Sequence, residues 1–199
     1  TASGNTWNYA TLDTTLLPDG LHNVTVYATD LLSKLNSSEV NNFYVDNTVP
    51  TLSLNYPSDG ANLTSGNVNF TWTPTDALDT NISCNLTLDS VVTYSWLQTN
   101  NGSPVNQTNW SISDGFHSWS VSCWDNATNV VTSTRAFTIE TTAPTLAMTS
   151  PSNDSILTDS YFNMTLQVNE SNPAATLCTY NISNPSLQES GSILNSSFT

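Results

Sequence analysis

Apolar and polar side chains alternate in short runs along this chain. Val68, Phe70 and Trp72 are interleaved with Asn69 and Thr71, Cys84, Leu86 and Leu88 with Asn85 and Thr87, and Trp119, Val121 and Cys123 with Ser118, Ser120 and Ser122. A period of two sends one face of a strand into a core and the other into solvent, so each run predicts a half-buried β-strand. Helical periodicity is absent. Ser58-Asp59-Gly60, Asn101-Gly102-Ser103 and Asp114-Gly115 punctuate the runs as turns.

The pattern recurs at a fixed spacing. DGLHNVTVYATD from Asp19 matches DGFHSWSVSCWD from Asp114, and NNFYVDNTVPTL ending at Leu52 matches RAFTIETTAPTL ending at Leu146, with offsets of 95 and 94 residues. The register holds through the pairs Pro57 and Pro151, Leu63 and Leu157, Phe70 and Met164, and Cys84 and Cys178. Phase is kept too: Val24, Val26 and Ala28 stand for Trp119, Val121 and Cys123, while Phe162, Met164, Leu166 and Val168 continue the pattern of Val68 to Trp72. A one-residue slip would turn all of these outward.

Proline in the two Thr-x-Pro-Thr-Leu junctions fixes φ and extends its neighbour, as a short linker requires. The boundaries follow: residues 1–48 are the C-terminal half of one unit, 49–141 a complete unit, and 142–199 the N-terminal half of the next. About seven short strands in a unit of this size predict an all-β fold of tandem immunoglobulin-like, or fibronectin-type-like, antiparallel β-sandwiches.

Composition narrows the function. Charged residues are 9% of the chain, whereas it holds 26 Asn, 28 Ser and 31 Thr. Lys34 and Arg135 are its only basic residues and the net charge is −14, so phosphate-rich partners, nucleic acid and anionic membrane alike, are poor candidates. No run approaches the roughly 20 apolar residues of a membrane span, and no signal segment opens the sequence, so an export signal is expected outside this piece.

The DG-[LF]-H strand ending in Asp30 or Asp125, the F-x-[VI] strand after it and the [DE]-x-T-x-P-T-L junction together resemble the tandem Ig-like repeats of large archaeal and bacterial surface proteins. The resemblance covers nearly the whole chain and implies a spacer, adhesin or surface-layer role without catalytic residues. One loop departs from it. After the strand such repeats read D-x-x-G-N, but here the residues are Asp30-Leu31-Leu32-Ser33-Lys34 and Asp125-Asn126-Ala127-Thr128-Asn129, so a differently built turn is expected.

Cys84 and Cys123 face inward in the same unit, which predicts a disulfide. Cys178 occupies the Cys84 position of the next unit, with its partner expected near position 217, and Ala28 stands at the Cys123 position of the preceding one. Fifteen Asn-x-Ser/Thr sequons, about twice the roughly eight that composition alone gives, mark N-glycosylation sites at Asn23, Asn36, Asn62, Asn69, Asn81, Asn85, Asn101, Asn106, Asn109, Asn126, Asn153, Asn163, Asn169, Asn181 and Asn195. Asn23, Asn69, Asn85 and Asn163 lie on the polar phase of strands, so glycans there would coat the sheet faces.

His22 and His117 occupy equivalent repeat positions beside Asp-Gly turns, which favours a structural role, and no Ser-His-Asp grouping, phosphate loop or zinc spacing accompanies them. Calcium is the one ion the sequence suggests: Asp30, Asp46, Asp76, Asp79 and Asp125 would gather near domain ends, where oxygen-rich sites bind hard cations. The expected function is structural, a segment or subunit of an extracellular glycosylated filament, stalk or surface layer that self-associates, and not an enzyme. An adhesin for carbohydrate or another cell is the second reading, with Trp7, Tyr9, Trp96, Trp110 and Trp124 as its platform. An accessory module of a secreted enzyme is the third. Head-to-tail tiling of subunits, with the end segments completing each other's sandwich, is an alternative to truncation of a longer array.

Overall fold

A computed structural model describes residues 12–35, 39–158, 161–169, 177–184 and 187–194. Among them lies no helix long and apolar enough to cross a membrane. Apart from Leu63–Ser65, the described residues up to Ile139 form one compact unit, and Leu63–Ser65 with those from Glu140 onward form a second.

Among the described residues, the first unit begins with a 3₁₀ turn, Thr14–Leu16, whose N-cap Asp13 accepts the Thr15 amide. The antiparallel pair β1 (Gly20–Val26) and β2 (Glu39–Val45) follows, with Gly20 opposite Val45. The complete repeat then contributes β3 (Thr51–Tyr56), β4 (Ala61–Leu63), β5 (Val68–Thr75), β6 (Asn81–Leu88), β7 (Val91–Asn100), β8 (Val105–Asn109), β9 (Gly115–Trp124) and β10 (Val130–Ile139). These make two antiparallel sheets, a three-stranded one in the order β3-β5-β8 and a five-stranded one in the order β4-β10-β9-β6-β7. The strand beyond the predicted seven is β4. It exists because the chain crosses from one sheet to the other through the Ser58-Asp59-Gly60 turn, where the Gly60 amide donates to the Ala136 carbonyl.

The alternation read from the sequence is the burial observed. Phe70, Trp72, Ile82, Cys84, Leu86, Val121, Cys123 and Phe137 are fully buried, while the residues between them on each strand are half-buried or exposed. Phe70 is the hub: its ring centroid lies 5.1 Å from that of Trp119 and 5.8 Å from that of Phe137, joining the small sheet to the large one. Burying a side chain of this size contributes on the order of 2 to 3 kcal/mol.

Cys84 and Cys123 stand directly opposite each other on β6 and β9 and form the predicted disulfide, with 4.1 Å between their Cα atoms. The bridge joins neighbouring strands of one sheet. It is therefore a lock on register as well as a cross-link over a sequence separation of 39.

The β1–β2 pair keeps the phase but not the burial. Val24 and Val26, expected inward by analogy with Trp119 and Val121, are exposed, and of that hairpin only Val45 is buried. The face that β3, β5 and β8 cover in the complete repeat has no such cover among the described residues of this one.

In the second unit β11 (Thr145–Ser150) pairs with β12 (Thr165–Asn169), and β13 (Leu177–Asn184) with β14 (Leu187–Leu194), all antiparallel. Cys178 on β13 is a half-buried free thiol.

Replacing both cysteines of the bridge, as Cys84→Ala with Cys123→Ala, is expected to cost about 3 kcal/mol by the chain-entropy argument. A urea titration measures it; an unchanged midpoint would contradict the assigned role.

Candidate functional site

Three loops at one end of the complete sandwich, those after β5, β7 and β9, concentrate polar contacts, and the one after β9 is built by an aspartate that recurs with the repeat. After β9, Asp125 is buried; its Oδ1 accepts the Asn129 amide at 2.8 Å, and its own amide donates to the Asn129 carbonyl at 3.2 Å. Asp30 builds the equivalent loop, accepting the amides of Leu32 and Lys34 at 2.8 Å. The two loops are thus built alike. Ser33 (φ 62°) and Thr128 (φ 72°) adopt the left-handed conformation at the position where the resembling repeats have glycine, at a cost on the order of 1 to 3 kcal/mol each.

Asn129 extends this loop to the preceding junction. Its Nδ2 donates to Asp125 Oδ2 (2.8 Å) and to the carbonyls of Asp46 (3.1 Å) and Thr48 (3.4 Å), fastening the segment that follows β2 to the end of the complete sandwich. The junction carboxylate has its own task in both copies: Asp46 accepts the Thr48 amide and Glu140 the Thr142 amide, which accounts for the acidic residue two places before Thr.

Of the five candidate cation ligands, Asp46, Asp76 and Asp79 bring carboxylate oxygens within 4.8 Å of one another. Asp125 lies close enough to act on Asp46 electrostatically, whereas Asp30 is occupied within its own loop. Burial does most to raise the Asp46 pKa; the Thr48 amide opposes it, and the charges of Asp76, Asp125 and Asp19 add repulsion. Asp76 Oδ1 accepts the amides of Leu78 and Asp79, but its Oδ2 is buried with no hydrogen-bond partner among the described residues. An aspartate with an unpartnered buried oxygen, grouped with two further carboxylates, fits a hard, oxygen-seeking cation. Asp46, Asp76 and Asp79 are the residues that would hold it, and its charge would relieve their repulsion.

The two histidines are structural in the same way. His117 Nε2 contacts the Ser113 carbonyl at 2.9 Å and His22 Nε2 the Pro18 carbonyl at 2.7 Å, each closing the Asp-Gly turn four residues back. His117 gains a second partner, Asp89 Oδ2 at 2.7 Å, while Asp89 Oδ1 accepts the Ser118 amide. Burial opposes the imidazolium, but the Asp89 hydrogen bond, the Ser113 carbonyl and the Asp89 charge together outweigh it and raise the His117 pKa. On Asp89 burial is likewise the largest influence and is likewise outweighed, by His117 and the Ser118 amide, so its pKa is lowered. With both ring nitrogens engaged, the pair holds a turn.

The sequons divide by what their carboxamides do. Asn23, Asn62, Asn69, Asn81, Asn106, Asn126, Asn153, Asn163, Asn169 and Asn181 are exposed and Asn85, Asn101 and Asn109 half-buried; Asn36 and Asn195 lie outside the described residues. Asn101 uses both amide hydrogens, donating to the carbonyls of Asp76 (2.6 Å) and Asp79 (2.8 Å). Asn126 Nδ2 donates to Asp79 Oδ1 at 2.6 Å, and weaker contacts engage Asn81 and Asn153. Among the described residues, Asn69, Asn85 and Asn109 use only their oxygens, which accept from Thr108 Oγ1, the Trp96 amide and the Trp110 amide.

Among the candidate platform aromatics, Trp96 and Trp110 are exposed and Trp124 half-buried, whereas Trp7 and Tyr9 lie outside the described residues. Trp96 and Trp124 come together, 6.0 Å between ring centroids, on the outer face of the five-stranded sheet. The sequence reading missed the clamps Asn101 and Asn129 and the His117 partner Asp89. Asn129 was visible as the asparagine ending the D-x-x-x-N loop; Asn101 was hidden by its sequon, and Asp89 has no repeat counterpart that marks it.

No family model and no curated protein matches the chain. Among solved structures it is similar to the PKD domain of an M14-like peptidase from Thermoplasmatales archaeon SCGC AB-540-F20, at 18% identity and a TM-score of 0.38, over 46% of this chain and 92% of that one.

The His117–Asp89 pair makes stability depend on pH. A raised histidine pKa stabilises fully below its unfolded value of about 6.5 and loses that contribution as pH climbs through the folded value, while the lowered Asp89 pKa acts above about 3.9. The urea midpoint is expected to decline as pH rises from about 6.5, and to decline less in His117→Gln; parallel profiles would remove the pair from the account. Millimolar calcium is expected to raise the thermal midpoint of the wild-type chain by roughly 5 °C and to leave Asp76→Asn, which keeps the loop-capping Oδ1, unmoved. Equal shifts in both proteins would dismiss the three carboxylates as ligands.

Proposed function

We propose that the chain is a segment of an extracellular, N-glycosylated filament, stalk or surface layer built from tandem sandwiches, and that it works through reach and stiffness. The observation carrying this reading is the Asn129 clamp on the carbonyls of Asp46 and Thr48. A repeat whose end loop grips the segment entering it resists bending there, which a spacer needs and an isolated module does not. The Cys84–Cys123 bridge suits an oxidising compartment. A surface of Ser, Thr and Asn with so few charges suits a chain kept dispersed by attached sugar. The adhesin reading has one observation in its favour, the Trp96–Trp124 pair.

Spin labels at Asn41 and Thr134, on chain produced in an exporting, N-glycosylating host, test the clamp. One narrow distance distribution is expected, broadening in Asn129→Ala. A broad wild-type distribution, or secreted protein with every sequon bare, would refute the proposal.

A further inference from the structure

The outer face of the five-stranded sheet is a lawn of small polar groups. Ser83, Ser122, Thr132 and Gln98 line it, with Ser122 Oγ and Thr132 Oγ1 hydrogen-bonded at 2.8 Å and Gln98 Nε2 bonded to Ser83 Oγ. Two tryptophans interrupt it. Pairing between β6 and β7 passes from Cys84↔Leu97 to Leu86↔Tyr94, so Asn85 alone opposes Ser95 and Trp96, a β-bulge. Bulges re-aim a side chain. Here Trp96 takes φ 55°, a conformation that bulky residues rarely adopt, and is left 69% exposed. Backbone strain of this kind gathers where a fold serves a ligand.

Trp124 is on β9, opposite Ser83 of β6. Because β7 and β9 flank β6, the backbones bearing the two indoles are roughly 10 Å apart. Rings whose centroids are 6.0 Å apart have therefore leaned inward over β6, at Ser83 and Asn85. Asn85-Leu86-Thr87 is a sequon. Asn85 Oδ1 accepts the Trp96 amide at 2.8 Å and closes the bulge. With the oxygen turned toward β7, Nδ2 points away from it and makes no hydrogen bond among the described residues.

We propose that Asn85 carries an N-linked glycan whose first sugar stacks on the Trp96–Trp124 pair. The inference deepens the glycosylated reading above and rests on it. In the transfer, Nδ2 attacks C1 of a glycosyl donor with a phosphate-type leaving group: the Nδ2–C1 bond forms, the C1–O bond breaks with its electron pair leaving on the phosphate, and Nδ2 gives up one proton. The donor is the substrate of the host's transferase. Oδ1 is untouched, so the bond that closes the bulge survives the modification, in contrast to Asn101, where a sugar would replace a structural hydrogen bond. The sugar's C–H face lies on the indoles and its hydroxyls meet the surrounding Ser, Thr and Gln. This explains at once why a strained backbone aims a tryptophan outward and why a second one leans toward it over an asparagine.

The test uses the whole chain, secreted from an N-glycosylating host, with occupancy of each sequon read by glycopeptide mass spectrometry. Asn85 is expected to be occupied, and Asn101 bare where the host acts on folded domains. Enzymatic removal of the glycans is expected to lower the thermal midpoint by roughly 5 °C in Asn69→Gln, which keeps the Asn85 sugar, and by much less in Asn85→Gln, Trp96→Ala and Trp96→Gly, the last preserving the bulge conformation. Asn85 bare while other sequons carry sugar would overturn this inference and leave the glycosylated reading standing; every sequon bare would overturn both. An occupied Asn85 whose sugar stabilises Trp96→Ala as much as the unsubstituted chain would show that the indoles only pack on each other. Saturable binding of free oligosaccharide to bare protein, followed by tryptophan fluorescence, would give the pair to a sugar in trans and overturn the attachment proposed.

Discussion

The pairing of β6 with β9, where Cys84 faces Cys123, is the constraint from which the rest of the complete repeat follows. These are adjacent central strands of the larger sheet, and a covalent bridge between directly opposed residues admits one register. With that register set, Ile82, Leu86, Trp119 and Val121 are all buried in the core, while Ser83, Asn85, Ser122 and Trp124 alternate with them on the outer face. Because the side-chain period is two, a slip by one residue would exchange the core for the outer face. The interior tolerates some imperfection in return: Trp72 and Trp119 bury their indole N–H groups without a hydrogen-bond partner, at about 1 to 3 kcal/mol each.

Much of this was legible because it is periodic. The alternation in Val68 to Trp72 and Trp119 to Cys123 named the core, and the repeat named the bridge, since Cys84 and Cys123 share one unit while Cys178 does not. The β1–β2 hairpin shows the limit of that reasoning. Phase is local and travels with the sequence, but burial needs a second sheet, so Val24 and Val26 are exposed although their counterparts are not. The strand β4 escaped for a related reason: three residues are too few to display a period, and only their pairing with β10 defines them.

What stayed hidden was the second use of familiar residues. An aspartate in a repeat reads as surface charge, yet Asp125 caps its loop while Asp79 binds the amide and side chain of Asn126. A histidine beside Asp-Gly reads as a turn residue, which it is, but that His117 carries a carboxylate partner depends on Asp89, brought in by the hairpin between β6 and β7. The asparagines divide most sharply. At Asn129 the side chain is a clamp without a sequon; at Asn101 a sequon conceals one; at Asn85 oxygen and nitrogen are free to do different things.

Asn101 turns this chemistry into a question of timing. Its two amide hydrogens close the loop between β5 and β6 only once the chain has folded, whereas in the nascent, extended polypeptide the same nitrogen is open to any transferase that reads Asn-Gly-Ser. Folding and any such modification would compete for a single atom, and whichever is faster would foreclose the other. A host that modifies chains as they emerge would trap this loop open, while one that acts on finished domains would find the residue already withdrawn.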